Sequence, residues 1–457
     1  MKNAQLSTLN SHQYEYNSGH QRTKQTLTAG NYVDYTYDNI GQLKTAKGKE
    51  AGGATRWHEQ FGYAYDAAWN LNYRTNNALV QALAVDALNE LSSATRSGNT
   101  TVAGTTTSPA TNVTVNSVSA LLYNDSTFAL TNVSLTSGDN TFTAIAQDTY
   151  GRTDTNTITA YLPATNAFYY DARGNLTNDG KRVFFYDDEN QLTTVVVSNA
   201  WLSQFSYDGL MRRRVRKEHK WSGSAWTLTN EVRYVYDGRL VVQERDANNL
   251  ALVSYTRGND LSGTMQQAGG IGGLLARTDN GQLIAGTTSA HAYYHADGNG
   301  NITALVATNQ LPVARYAYNP YGNLLAASGP LAEANLYRFS SKEWHPNSGL
   351  VYYLYRYYDP SLQRWPNRDL IGEWGGINIY AFVMNRPSNS IDPFGLDNTF
   401  DPCSGQNAPP ALVISQNVGD RENLKVRPSN DNSVLRCFRW SLITGGSGAC
   451  RPRSRAW

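Results

Sequence analysis

The chain has 457 residues, with 39 Lys and Arg against 37 Asp and Glu, for a formal charge of +2. That near-neutral balance excludes a partner chosen by bulk charge, such as nucleic acid or an anionic membrane surface. With 30 Tyr against 12 Phe and 10 Trp, 38 Gly and only 17% charged residues, the composition predicts an all-β protein. Tyr, Thr and Val suit pleated, half-buried surfaces, while Gly and Asn supply turns. Mean hydropathy is −0.51, and polarity resides mainly in Asn, Thr, Ser, Gln and Tyr, as in secreted or surface-displayed β proteins.

The first ten residues, Met1 to Asn10, contain no apolar core and do not read as a signal peptide. Either export takes another route or Met1 lies inside a longer reading frame; the chain begins within a repeat. No apolar run approaches a membrane-spanning length, so no membrane span is expected.

Tyr-x-Tyr-Asp is the repeating unit. It occurs at Tyr14-Glu-Tyr16-Asn17, Tyr35-Thr-Tyr37-Asp38, Tyr63-Ala-Tyr65-Asp66, Phe168-Tyr-Tyr170-Asp171 and Phe184-Phe-Tyr186-Asp187. It returns at Phe205-Ser-Tyr207-Asp208, Tyr234-Val-Tyr236-Asp237 and Tyr316-Ala-Tyr318-Asn319, with a weaker copy at Tyr293-Tyr-His295-Ala-Asp297. Gly or Asn often follows three positions later and Leu or Ile two beyond that, as in Asp38…Gly41…Leu43 and Asp171…Gly174…Leu176. Two aromatics at i and i+2 share one strand face. The Asp or Asn then folds onto the backbone beyond it, and Gly or Asn closes the turn in the left-handed region. Each repeat is thus a hairpin unable to bury its apolar face alone, and stacked repeats make a continuous sheet.

The pattern lapses from Thr101 to Pro163, where Thr, Ser, Val and Asn alternate with short apolar stretches such as Thr127-Phe-Ala-Leu130. Short strands between Asn-Asp and Ser-Gly-Asp-Asn turns predict an inserted immunoglobulin-like β-sandwich over 101–163, either a spacer or a carbohydrate- or protein-binding module. Further on, Gly269-Gly-Ile-Gly272-Gly lacks the Gly-Lys-Ser/Thr ending of a phosphate loop and reads as a glycine-rich turn at a sheet edge. The seven histidines, from His12 to His345, show no metal-ligand spacing; His291 and His295 fall on a strand. No metal or cofactor is expected.

From Tyr337 to Leu396 the text changes, with Gly349-Leu-Val-Tyr-Tyr-Leu-Tyr-Arg356-Tyr-Tyr-Asp359-Pro, Arg368-Asp369-Leu-Ile-Gly372 and Asp392-Pro-Phe-Gly395-Leu396. Beyond it, residues 397–457 carry all three cysteines (Cys403, Cys437, Cys450), so the body has no disulfide framework. Arg436, Arg439, Arg451, Arg453 and Arg455 give that end a weak nucleic-acid flavour, against the plainer account of solvated disorder.

The repeats resemble the YD repeats of RHS proteins, teneurins and the B and C components of insecticidal toxin complexes, and the 337–396 segment resembles the RHS-repeat-associated core domain. The resemblance implies YD repeats over 1–100 and 164–336, spiralling into a shell, with the core as its plug and a variable C-terminal segment over 397–457. About nine recognisable repeats are few for a closed shell, so the expectation is either that a second polypeptide completes it or that this chain is the terminal part of one. Many bacterial members cut themselves after Asp-Pro-x-Gly-Leu with paired aspartates. Carried over, this makes Asp369 and Asp392 the pair, Arg356 their neighbour and Leu396–Asp397 the bond. Leu370 and Glu373 depart from the family's Pro and Leu and place the upstream turn in question. Two adjacent carboxylates can share one proton and divide base and acid work; equally, Asp369 and Asp392 could simply cap turns beside Gly372 and Gly395.

The implied function is a secreted or cell-surface scaffold enclosing a toxin-like segment, in intercellular competition. Its expected partners are a secretion apparatus and an immunity protein. The rival is cell-surface adhesion, binding carbohydrate or protein without toxin activity. Enzymatic activity, if any, is self-cleavage.

Overall fold

The computed structural model describes residues 8–106, 109–287 and 290–396. Asp397 and the 397–457 segment with its cysteines lie outside the described residues. Strands dominate, and the α-helix among the described residues is the five-residue Asn280–Ile284. No helix among them is long and apolar enough to cross a membrane.

With one exception, the repeats close their turns in the same way. Asp38 Oδ1 accepts the backbone N–H of Ile40 at 3.1 Å and of Gln42 at 2.8 Å, while Gly41 adopts φ 87°. Acceptance from two and four residues onward recurs at Asp66, Asp171, Asp187, Asp208, Asp297 and Asn319. Asp86 and Asp246 make the same turn although no tyrosine pair announces them. Asp237 does not: its turn is the tighter one at Gly238, with Asp237 paired to Leu240.

The second tyrosine of the repeat has its own regular partner. Its hydroxyl donates to the carbonyl of the first residue of an earlier strand: Tyr37 to Arg22, Tyr65 to Leu43, Tyr186 to Leu176, Tyr207 to Leu192, Tyr236 to Arg213 and Tyr318 to Ile302. The strand pairing shifts register at each of these tyrosines. Such a bulge twists the strand and breaks the ladder locally, and the phenol satisfies a carbonyl at that break.

Consecutive hairpins build two antiparallel sheets in chain order. The nine-stranded sheet runs from His12–Tyr16 to Leu91–Ser97 and then takes Thr165–Ala167; the fourteen-stranded sheet runs from Tyr169–Tyr170 to Leu324–Ser328. The start of the first sheet meets the end of the second. There, Tyr14 Oη accepts from Gly298 N at 2.6 Å, Asn10 Nδ2 donates to Thr303 Oγ1 at 3.0 Å, and His12 stacks on His295 at 5.6 Å.

The inside of this winding is occupied. Leu350, Tyr352 and Tyr357 pack on Leu176, Phe184, Leu192, Val195 and Phe205 of the second sheet, while Tyr353, Tyr358, Trp365 and Phe382 pack on Leu43, Phe61 and Tyr63 of the first. Fully burying a large side chain contributes roughly 1.5–3 kcal/mol, so this one segment supplies interior contact to both sheets. The sheet is a partial shell drawn around its own core segment.

The insertion is a β-sandwich of a four-stranded and a three-stranded sheet around Val113, Val115, Phe128 and Phe142. The chain leaves after Ser97 and returns at Thr165–Ala167, which pairs back on Ser93–Thr95. The module is docked rather than tethered. Arg56, 1% exposed in the strand Thr55–Tyr65, bonds Glu50 and Glu59 of its own hairpin and Asp125 of the insert at 2.7 Å; Tyr123 Oη accepts from Trp57 N at 2.9 Å. The glycine-rich stretch also departs from expectation. It connects Ala251–Arg257 to Leu274–Asp279, two inner strands of the fourteen, so it is not at a sheet edge.

Tyr207→Phe removes a buried donor and leaves the Leu192 carbonyl without it, a loss of about 1–2 kcal/mol that urea unfolding would read; Tyr73→Phe, on an exposed ring, should leave the midpoint unchanged. Arg56→Ala removes the cation shared by Glu50, Glu59 and Asp125 and should cost about 1–3 kcal/mol, as for lost hydrogen bonds to charged groups; an unaltered melting curve would mean that the insert and wall do not depend on this guanidinium.

Candidate functional site

Arg356 sits between the short strands Val351–Tyr352 and Tyr357–Tyr358, 2% exposed, with its guanidinium 4.2 Å from the Trp365 ring centre. Its Nη2 lies 2.7 Å from Asp369 Oδ2 and 4.0 Å from Asp392 Oδ2. Nε donates to the Gly395 carbonyl and Nη1 to that of Ile379 at 3.3 Å. Burial pushes the arginine's pKa down, and the two carboxylates pull it back up. All three residues named from the sequence therefore converge on one buried point.

Each carboxylate reaches it from a turn. Asp369 Oδ1 accepts Ile371 N at 3.0 Å, and its carbonyl accepts Gly372 N at 3.0 Å, with Gly372 at φ 60°. Leu370 is 37% exposed, so the missing proline alters the surface of this turn while the aspartate still points inward. Asp392 Oδ1 accepts three backbone donors, Phe394 at 3.0 Å, Gly395 at 2.7 Å and Leu396 at 3.2 Å, with Gly395 at φ 78°. Turn-capping and pairing are thus not alternatives. One oxygen caps; the other faces Arg356.

Leu396 is buried, and its carbonyl borders the site. A methyl placed on Gly375 would lie 2.5 Å from Asp369 Oδ2 and 2.9 Å from Leu396 O, so both oxygens crowd the same glycine. Asp397 lies outside the described residues. Two contributors went unremarked in the sequence: Gly375, which leaves that space, and Lys342, whose ammonium donates to the Pro393 carbonyl at 2.7 Å. His291 is engaged with Thr278 and His345 with Glu218. Among the described residues no group of three or more His, Cys, Asp or Glu is placed to hold a metal.

No family model matches the chain. The tRNA3(Ser)-specific nuclease WapA of Bacillus spizizenii is 29% identical over 237 residues, which is 50% of this chain and 9% of that protein. The double-stranded DNA deaminase toxin A of Burkholderia cenocepacia is 27% identical over 248 residues, 51% of this chain and 17% of that protein. Over about half of its length the chain is thus similar to parts of these two proteins. Its fold is similar to a chain in the crystal structure of TcdB2-TccC3-Cdc42, with TM-score 0.41 and 16% identity over 84% of this chain and 19% of that one. The chain spans only 9% and 17% of the length of these two curated relatives.

Gly375→Ala forces a methyl against Asp369 Oδ2 and Leu396 O. The expected loss is about 1–3 kcal/mol, as for overpacking, and an unshifted thermal midpoint would show that the loop yields freely.

Proposed function

We propose that this chain is the wall and core of a toxin-presenting RHS protein, and that it hydrolyses its own Leu396–Asp397 bond. The convergence of Asp369, Asp392 and Arg356 beside the Leu396 carbonyl carries this reading. The relatives' names support toxin presentation over adhesion, since they are nucleases and a deaminase toxin. On this reading residues 397–457 are the presented segment, an immunity protein neutralises it, and a secretion apparatus exports it, with a further polypeptide or upstream repeats extending the wall.

The chemistry follows from the pairing. A guanidinium favours the charged form of the carboxylate it touches, so Asp369 is the base and Asp392 holds the shared proton. Asp369 takes a proton from water as the water oxygen bonds to the Leu396 carbonyl carbon. The C–N bond to Asp397 then breaks, and Asp392 protonates the departing nitrogen, leaving a Leu396 carboxyl and a free amine. The proton gained by Asp369 restores the shared one.

Mass spectrometry of the folded chain should show two fragments separated after Leu396. Asp369→Asn and Asp392→Asn should each leave it whole, and Glu373→Gln, an exposed carboxylate in the same loop, should cut normally. Asp359 is unsuited as a control, because it is buried 2.5 Å from Arg182. Intact wild-type chain after prolonged incubation from acidic to neutral pH would refute the reading and leave the core as a plug.

A further inference from the structure

The glycine-rich stretch and Lys342 have so far been given no role, and they meet at the turn that carries Asp392. Lys342 is 7% exposed, and its Nζ donates to two carbonyls, Gly269 O at 2.8 Å and Pro393 O at 2.7 Å. One belongs to the loop between two wall strands, the other to the Asp392-Pro393-Phe394 turn. Gly269 holds φ 62°, and a Cβ there would lie 1.9 Å from Pro393 O, so only glycine lets the loop rest on this turn. Beside it, Ala268, Ile271 and Ile391 form a small buried cluster with Leu261 at its edge. Gly272 N donates to Ser341 Oγ at 3.0 Å, and Ser341 Oγ donates to Gly300 O at 2.7 Å, fastening the residue next to Lys342 as well.

We infer that Lys342 is a positioning residue for self-cleavage, an ammonium rivet through which the wall loop at Gly269 holds the Asp392 turn in its productive place. The inference rests on the self-cleavage reading. It links cleavage to winding: the turn is held only once the strands on both sides of the loop are in place, so an unfinished wall leaves the bond uncut. The charges facing Lys342 are Asp392 and Asp260, which favour its protonated form, and Arg257, which opposes it; the Tyr353 ring lies 5.4 Å from Nζ. Burial, the larger effect, pushes its pKa down to about 7. Its cation in turn favours the ionised form of Asp392. Without it, the aspartate pair should keep its proton to higher pH.

The test follows cleavage of freshly synthesised full-length chain by gel and mass spectrometry, across acidic to alkaline buffers. Lys342→Met should cut at least ~10-fold more slowly, a loss of the order expected when a reacting group is misplaced, and its alkaline limb should move to higher pH. Lys342→Gln, which keeps two donors without the charge, should regain part of the rate but keep the shifted limb. Gly269→Ala should slow cutting with the limb of the wild type, since its cation is intact, and it serves if Lys342→Met does not fold. Amide exchange at Phe394, Gly395 and Leu396 gives a second readout in the Asp369→Asn background, where nothing cuts; loosening of the turn by Lys342→Met should speed it. Wild-type rate and pH profile in folded Lys342→Met would overturn the inference while leaving self-cleavage standing. If the wild type itself never cuts, the self-cleavage reading fails first, and exchange then decides the rivet: unchanged protection in Lys342→Met overturns it too.

Discussion

The hydrogen bond from a repeat's second tyrosine to the first carbonyl of an earlier strand is the constraint on which the wall depends. A bulge is needed at each repeat to turn the chain into its tight aspartate turn, and a bulge interrupts the ladder. The phenol answers that interruption from within the repeat itself. Phenylalanine could fill the same volume but would leave the carbonyl unanswered. Burial also pushes the pKa of these phenols up, as at Tyr65, Tyr186, Tyr207 and Tyr318, so they stay protonated donors over the ordinary pH range.

A wall built in this way has an aromatic inner face, and that face must be covered. The core segment covers it, at the cost of burying charge. Glu343 is 2% exposed; it pairs with Arg213, lies 3.5 Å from Arg216 Nη1 and accepts Tyr234 Oη at 2.8 Å. Arg213 also bonds Tyr357 Oη at 2.9 Å, and its backbone N–H bonds Tyr352 Oη at 2.9 Å. Such a network adds little net stability over apolar packing, but it penalises any misplacement of one partner heavily. Its effect here is registry: one glutamate of the core finds one pair of arginines on one strand.

The hairpin array and the insert were legible in the sequence because each rests on local patterns, whereas Asp369 and Asp392, 23 positions apart, were paired only through the resemblance of their segment to a known core domain. The turn at Asp86 was not legible, since Leu83-Ala-Val85 stands where the tyrosines should be and only Asp86, Asn89 and Leu91 remain. Trp69 and Met211 take the left-handed position at φ 64° and 61°, where sequence preference would demand Gly or Asn; the surrounding hairpin overrides the local cost. The Gly269 loop was misplaced to an edge because a glycine run reveals flexibility but not what presses against it. Lys342 was passed over for the same reason. Its two acceptors are distant in sequence, and no spacing rule connects Gly269, Lys342 and Pro393.

The candidate dyad is made from the same turn as the repeats. In four repeats the second carboxylate oxygen is capped by an amide four residues on: Asp38 by Gln42, Asp66 by Asn70, Asp171 by Asn175 and Asp297 by Asn301, each near 3 Å. At Asp369 and Asp392 the fourth residue is Glu373 or Leu396, neither of which has a side-chain amide to donate. The turn still forms through its first oxygen, and the second turns to Arg356 instead. A structural carboxylate thus becomes a candidate reactive one by changing a single position and supplying a shared cation. The step from scaffold to chemistry in this fold is therefore short, and it requires no departure from the backbone geometry that winds the wall.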